Sequence, residues 1–213
     1  MPEELRTAFH RELEKIDEQV LRLFALVSES LAGATEALLA GDRETARALV
    51  ARDQLLDALY VDVETLVQRQ FALQSPMADD LRFLLSVLRI VPELERSGDL
   101  AEHIAQRAVR GLTGELTPRI RGLIEQMGRT GVEMWRGSAD AYAERDPSGA
   151  SRLREIDDEL DDLHVSLTAE LASGKLSIPV AIEVALVGRF YERLGDHAVN
   201  IAARVRYLAT GLA

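Results

Sequence analysis

The sequence predicts an all-α protein built as two tandem three-helix bundles, six long antiparallel helices related by an internal repeat. Three observations lead there. Apolar residues recur every three or four positions along most of the 213-residue chain. No stretch alternates as a half-buried strand would. The chain also repeats itself: Asp42, Ala46, Leu49, Asp53, Leu56, Asp57 and Leu59 are matched by Asp146, Ala150, Leu153, Asp157, Leu160, Asp161 and Leu163, an offset of 104 (157 − 53). Further on, Glu95-Arg96-Ser97-Gly98-Asp99 is matched by Glu192-Arg193-Leu194-Gly195-Asp196, an offset of 97 (192 − 95). The second unit is therefore shorter by 7 (104 − 97), about two helical turns, which leaves the same helix face inward.

Residues 3–40 are nearly continuous helix formers, with Leu13, Ile16, Val20, Leu23, Val27, Leu31 and Leu38 as the apolar stripe. Gly41 tolerates the left-handed conformation that ends helices, and Asp42 can N-cap the next. The second helix runs to about Ala72 on Leu49, Leu56, Leu59, Val63 and Leu66. Ser75-Pro76 reads as N-cap and first residue of the third, with Asp79 beside the positive end of its dipole. That helix carries Leu81, Leu84, Leu85 and Leu88 and ends near Gly111 to Gly114. Pro92 lies in its interior, where it removes a hydrogen bond and should kink it. Thr117-Pro118 opens the fourth helix, which runs to about Glu144. The last begins at Pro179 and reaches about Ala209. The boundary between units is expected at 114/115, giving repeats over 1–114 and 115–213.

Composition narrows the function. A formal net charge of −11 opposes recognition of phosphate backbones, so nucleic acid is not an expected partner. The absence of cysteine excludes disulfides, thiolate metal sites and cysteine nucleophiles. Met1-Pro2-Glu3-Glu4 is no signal-peptide start, and the apolar stretches 83–91 and 178–187 are interrupted by Ser86 and Arg89 or by Glu183. A cytoplasmic protein without direct membrane insertion is expected.

In each repeated motif a Glu and an Asp stand four apart, so both carboxylates leave one helix face about a turn apart. Like charges at that spacing repel by a few tenths of a kcal/mol on an exposed helix, and something positive should offset the cost. Seven of eleven positions are identical between 95–105 and 192–202, which a merely solvated face would not need. Equivalent carboxylates on the second helix of each unit extend the set to Asp53, Asp57, Glu95 and Asp99 in the first and Asp157, Asp161, Glu192 and Asp196 in the second. The second and third helices of a unit are antiparallel neighbours, so these acids can face each other across a groove. Oxygen-only ligands suit Mg, Ca, Mn or Fe. The alternatives for the helix-two acids are surface charge or ion pairs with Arg96 or Arg193. Gly98 and Gly195 each cost their helix about 1 kcal/mol relative to Ala, which calls for a packing or metal-approach reason. Ala181, Ala185 and Gly188 leave room for a backbone or ligand before Glu192. His103 aligns with Asn200 and His197 with Leu100, so neither is a repeated ligand; both are expected at the surface or near a helix end. Paired Glu-x-x-His motifs, a P-loop and a Gly-x-Ser-x-Gly turn are all missing.

The duplicated motifs, the segment Gln74-Ser75-Pro76-Met77-Ala78-Asp79-Asp80-Leu81-Arg82 and the Asp53 and Asp157 helices together resemble the PhoU family of phosphate-signalling regulators. The resemblance spans nearly the whole chain. It implies two three-helix bundles, metal sites at Glu95, Asp99, Glu192 and Asp196 with Asp53, Asp57, Asp157 and Asp161 as further ligands, and divalent or trivalent ions (Fe, Mg, Mn, Ca or Zn). It also implies a non-enzymatic negative regulator of phosphate uptake and the phosphate-starvation response. Such a protein links the ATPase subunit of a phosphate ABC transporter to a membrane sensor histidine kinase, and its partners recruit it peripherally to the inner membrane. A homodimer stays open. Ser97 and Pro92 depart from the family pattern. The competing readings are a carboxylate-bridged metalloenzyme, which needs an enclosed pocket and a general base, and a purely structural bundle, which needs no metal.

Overall fold

The computed structural model describes residues 3–212, with side chains from Arg6 onward. Six helices follow in order: α1 (Glu3–Ala40), α2 (Arg43–Leu73), α3 (Ala78–Arg110), α4 (Pro118–Glu144), α5 (Gly149–Ala172) and α6 (Ile178–Thr210), with a single 3₁₀ turn at Leu112–Glu115 between the units. The stops and starts follow their local chemistry. Gly41 and Gly111 adopt φ of 74° and 84° and end α1 and α3. The Asp42 carboxylate accepts the Glu44 and Thr45 backbone N–H groups, both at 3.0 Å. Thr117 accepts from Ile120 N–H at 3.3 Å, with Pro118 as first helical residue.

The start of α3 corrects the expectation. Ser75 and Pro76 do not cap it; Met77 does, with no side-chain cap bond, and the first helical residue is Ala78. Gln74 and Met77 are both extended, with ψ of 160° and 153°. Pro76 disfavours a helical Ser75, so the connection runs out straight for two residues longer before the chain turns. Asp79 still sits in the first turn, where it pairs with Arg82. Pro92 lies inside α3, which runs from Ala78 to Arg110.

The apolar stripes form the core. Ile16, Val20, Leu23, Val27, Leu31 and Leu38 of α1 are wholly buried, and Leu13 is partly so. The stretch Arg6–Ala40 is long and apolar enough to cross a bilayer, but those residues are the core of a bundle and α1 is its central helix. Each unit packs its three helices against one another. Between units, α1 meets α4 and α3 meets α6, while among the described residues α2 and α5 pack only against helices of their own unit. Equivalent helices thus meet each other, as across a two-fold axis, and a single apolar core runs through both units.

Polar clasps fix this junction. The Phe24 ring of α1 lies 6.3 Å from Trp135 and 5.3 Å from Tyr142. Tyr142 donates its hydroxyl to Asp17 at 2.7 Å, and Arg145 reaches the same oxygen at 2.7 Å. Burial, with Asp17 beside it, pushes the Tyr142 phenol well above its usual range. Thr35 and Tyr191 share a buried hydrogen bond of 2.7 Å.

His197 is a second correction. Expected at a surface, it is buried between α3 and α6, with Nδ1 2.9 Å from Ser97 Oγ. Ser97 donates its one proton to the Glu93 carbonyl at 2.7 Å, so the imidazole donates Nδ1–H to Ser97. Under the 97-residue offset the counterparts of Ser97 and His197 are Leu194 and Leu100, both buried. One polar pair on the first side of the axis thus answers an apolar pair on the other.

Candidate metal centres

Each candidate centre sits where two helices of one unit come unusually close, and the glycine inside the motif is the cause. A Cβ on Gly98 would lie 2.6 Å from Leu56 Cδ1 and 3.3 Å from Asp53 Oδ1. On Gly195 it would lie 2.5 Å from Asp157 Oδ1 and 2.8 Å from Leu160 Cδ2. Both glycines are buried. The missing side chain lets an aspartate of the second helix lie against the third helix, beside that helix's own acids. That is the packing reason for a residue that costs the helix stability.

In the first unit the ligand oxygens of Asp53, Asp57 and Asp99 all come within 4.8 Å of one another, a group able to hold a metal ion. Burial, then the charges of Asp57 and Asp99, push the Asp53 carboxyl up to about 7. Glu95 is raised by burial and by Asp99, and Asp99 by burial and by Asp57. The ion pairs of the alternative reading, from Arg96 or Arg193 to the helix-two acids, are not formed among the described residues. Arg96 pairs instead with Glu93 at 3.6 Å.

In the second unit, burial and then Asp161 and Asp196 push Asp157 up to about 6. Glu192 is raised by burial and Asp196, while Arg189 and His164 pull it back. Arg189 is in direct ion pair with Glu192, one turn along the helix. Its counterpart in the first unit is Pro92, which carries no charge. Glu192 keeps its other oxygen, Oε2, buried without any hydrogen-bond partner. The room expected beside Gly188 is occupied by Leu167 and His164, whose atoms would lie 2.7 and 3.2 Å from a Cβ there.

Clustered carboxylates held above their usual range, with a buried oxygen unanswered, suit a hard or intermediate cation. Asp53, Asp57, Glu95 and Asp99 would hold it in the first unit, and Asp157, Asp161, Glu192 and Asp196 in the second. A bound ion would neutralise the negative charge that these carboxylates gather. A cleft of about 980 Å³ between α1, α4 and α5 is lined by Thr35, Gly128 and Leu153 among others and includes none of these eight acids. The sequence found the acids through their duplication. It missed the Ser97–His197 bridge, whose partners are 100 residues apart.

The fold and the paired faces define a class: an acidic tandem-repeat helical bundle with candidate cation sites on the second and third helices of each repeat. Comparison with known proteins gives the family. The PhoU domain matches residues 20–108 and again 124–205, and the chain belongs to the PhoU family of phosphate-transport accessory and regulatory proteins, which are not enzymes. It is 35% identical over 210 residues to the phosphate-specific transport system accessory protein PhoU homolog 1 of Mycobacterium leprae, covering 97% of this chain and 95% of that protein. It is 34% identical to the PhoU homolog of Zymomonas mobilis, over 96% of this chain and 87% of that one. The crystal structure of PhoU from Pseudomonas aeruginosa superposes with a TM-score of 0.89 at 28% identity, covering 96% of this chain and all of that one (100%). The phosphate transport system regulatory protein PhoU from Streptococcus pneumoniae superposes at 0.87 and 28% identity, over 96% and 98% of the two chains. This membership sets aside the metalloenzyme alternative.

Proposed function

We propose that this protein is a metal-binding negative regulator of phosphate uptake and of the phosphate-starvation response, linking the ATPase subunit of a phosphate ABC transporter to a membrane sensor histidine kinase. The observation that carries the metal part is the pair of acidic faces, each with an aspartate pushed up to about 7 or about 6 by burial and neighbouring acids. Families of transport accessory proteins act by contact. A bundle of net charge −11 does so through proteins rather than DNA. Its place is the cytoplasmic side of the inner membrane, reached through partners, and its units divide at 114/115.

Deletion in the host is expected to derepress phosphate-starvation genes in high phosphate. The Glu192→Gln, Asp196→Asn variant, folded but short of one metal centre, is expected not to restore repression. Pull-down from membranes should recover the transporter ATPase or the kinase. Normal repression in the deletion strain with neither partner recovered would overturn the regulator reading.

A further inference from the structure

Gly188 does for His164 what Gly195 does for Asp157. A Cβ on Gly195 would meet Asp157 Oδ1 at 2.5 Å, and a Cβ on Gly188 would lie 3.2 Å from Cδ2 and 3.8 Å from Nε2 of His164. The two contacts are 7 residues apart on each helix (164 − 157 and 195 − 188), about two turns of the antiparallel α5 and α6, so both fall in one groove. Asp161 and Glu192 stand between them, one turn before His164 on α5 and one turn after Gly188 on α6. Side chains on a helix lean toward its N-terminus. The Glu192 carboxylate therefore lies back over the Gly188 turn, where it meets Arg189, and the His164 ring leans toward Asp161.

The imidazole is unengaged. The His164 carbonyl accepts the Thr168 hydroxyl at 2.9 Å, while the half-buried ring has no hydrogen bond or ion pair among the described residues. On the facing helix, Glu192 Oε2 is buried without a partner. The pull of His164 on the Glu192 carboxyl agrees with this placement. In the first unit the counterparts of His164 and Gly188 are Tyr60 (164 − 104) and Val91 (188 − 97). Val91 is wholly buried, so a β-branched side chain stands there where α6 leaves an opening. An imidazole among carboxylates changes which ions a site holds, since oxygen donors suit Mg, Ca and Mn while imidazole suits Zn, Ni and Fe.

We propose that His164 is a nitrogen ligand of the second metal centre, beside Asp161 and Glu192, and makes that centre selective for zinc-like transition ions while the first is an all-oxygen site. This rests on the metal reading above and gives the two centres different ions. For oxygen-preferring ions the first face remains the tighter.

The test uses the full chain carrying Asp53→Asn and Asp99→Asn, so that the second centre is read alone. Zn outbinds Mn at most sites of mixed nitrogen and oxygen, so the diagnostic is selective loss: His164→Gln should lower affinity at least roughly tenfold for Zn and by less than about threefold for Mn in competition titrations. X-ray absorption at the zinc edge should show imidazole scattering in the parent and lose it in His164→Gln. The parent's spectrum needs no His164 variant to fold. Imidazole scattering absent from the parent, or equal Zn affinity in the parent and His164→Gln, would overturn the ligand and leave the metal reading standing. Uptake of neither ion by the wild-type chain would overturn the metal reading and this assignment with it.

Discussion

In the first repeat the oxygens of Asp53, Asp57 and Asp99 close to within 4.8 Å, and the nearest motif arginine, Arg96, turns away to Glu93. In the second repeat Arg189 holds Glu192. The same acids on the same helices thus stand in different fields. The largest part of the difference at the motif glutamate traces to one position, Pro92 in the first unit and Arg189 in the second, with His164 adding a smaller share in the second. Duplication preserved the close approach of two helices at a glycine; the neighbouring side chain then set how much charge is left for a cation to neutralise. The first face should be the tighter site.

The largest effect expected from breaking the comparison is on metal content. Asp53→Asn with Asp99→Asn should empty the first site and leave the second, and Glu192→Gln with Asp196→Asn should do the reverse, as read by metal analysis after soaking in Mn or Fe. Loss of both sites from either pair of changes would mean that the faces are one site and not two.

Next comes the asymmetry at the axis. Ser97→Leu copies the apolar counterpart but leaves the buried His197 Nδ1–H without an acceptor, which should cost about 1–3 kcal/mol in urea unfolding. Adding His197→Leu recreates the Leu100 and Leu194 pairing and should recover part of that loss, with a coupling of about 1 kcal/mol or more. Strict additivity would show that the bridge contributes no coupling.

Removing the competing cation should sharpen the contrast. Arg189→Ala is expected to tighten the second site about fivefold, since a half-exposed ion pair is worth up to about 1 kcal/mol. No change in affinity would detach the difference between sites from this residue.

The smallest effect is on pH. Asp53 and Asp157 are raised from 3.8 to about 7 and about 6, so between those values the folded chain holds protons that the unfolded chain has released. The metal-free protein therefore loses stability as pH rises through this window, and metal affinity rises over the same range as protons leave. Thermal melts of chelated protein should show the fall, and Asp53→Asn should flatten it more than Asp157→Asn does. A melting temperature that climbs across the window would contradict the assignment of raised carboxyls.

Much of the fold was legible because helices are specified locally. The 3.6-residue stripe of α1, the cap at Asp42, Gly111 as a stop and Thr117-Pro118 as a start each depend on a few neighbouring residues, and each lies where the sequence puts it. The start of α3 was not, since Ser75-Pro76 satisfies a capping pattern while the path from α2 decides how long the chain stays extended.

By itself, then, the sequence determined six helices, a duplicated unit and eight paired acids, because periodicity, caps and repetition are properties of order along the chain. Only the tertiary structure decided that α1 meets α4 and α3 meets α6, that His197 is buried against Ser97, and that Asp53 and Asp157 lie over Gly98 and Gly195. Those facts depend on which faces of distant helices approach and how closely, and the excluded volume of one missing Cβ or the charge of one neighbour settles them only once the helices are packed.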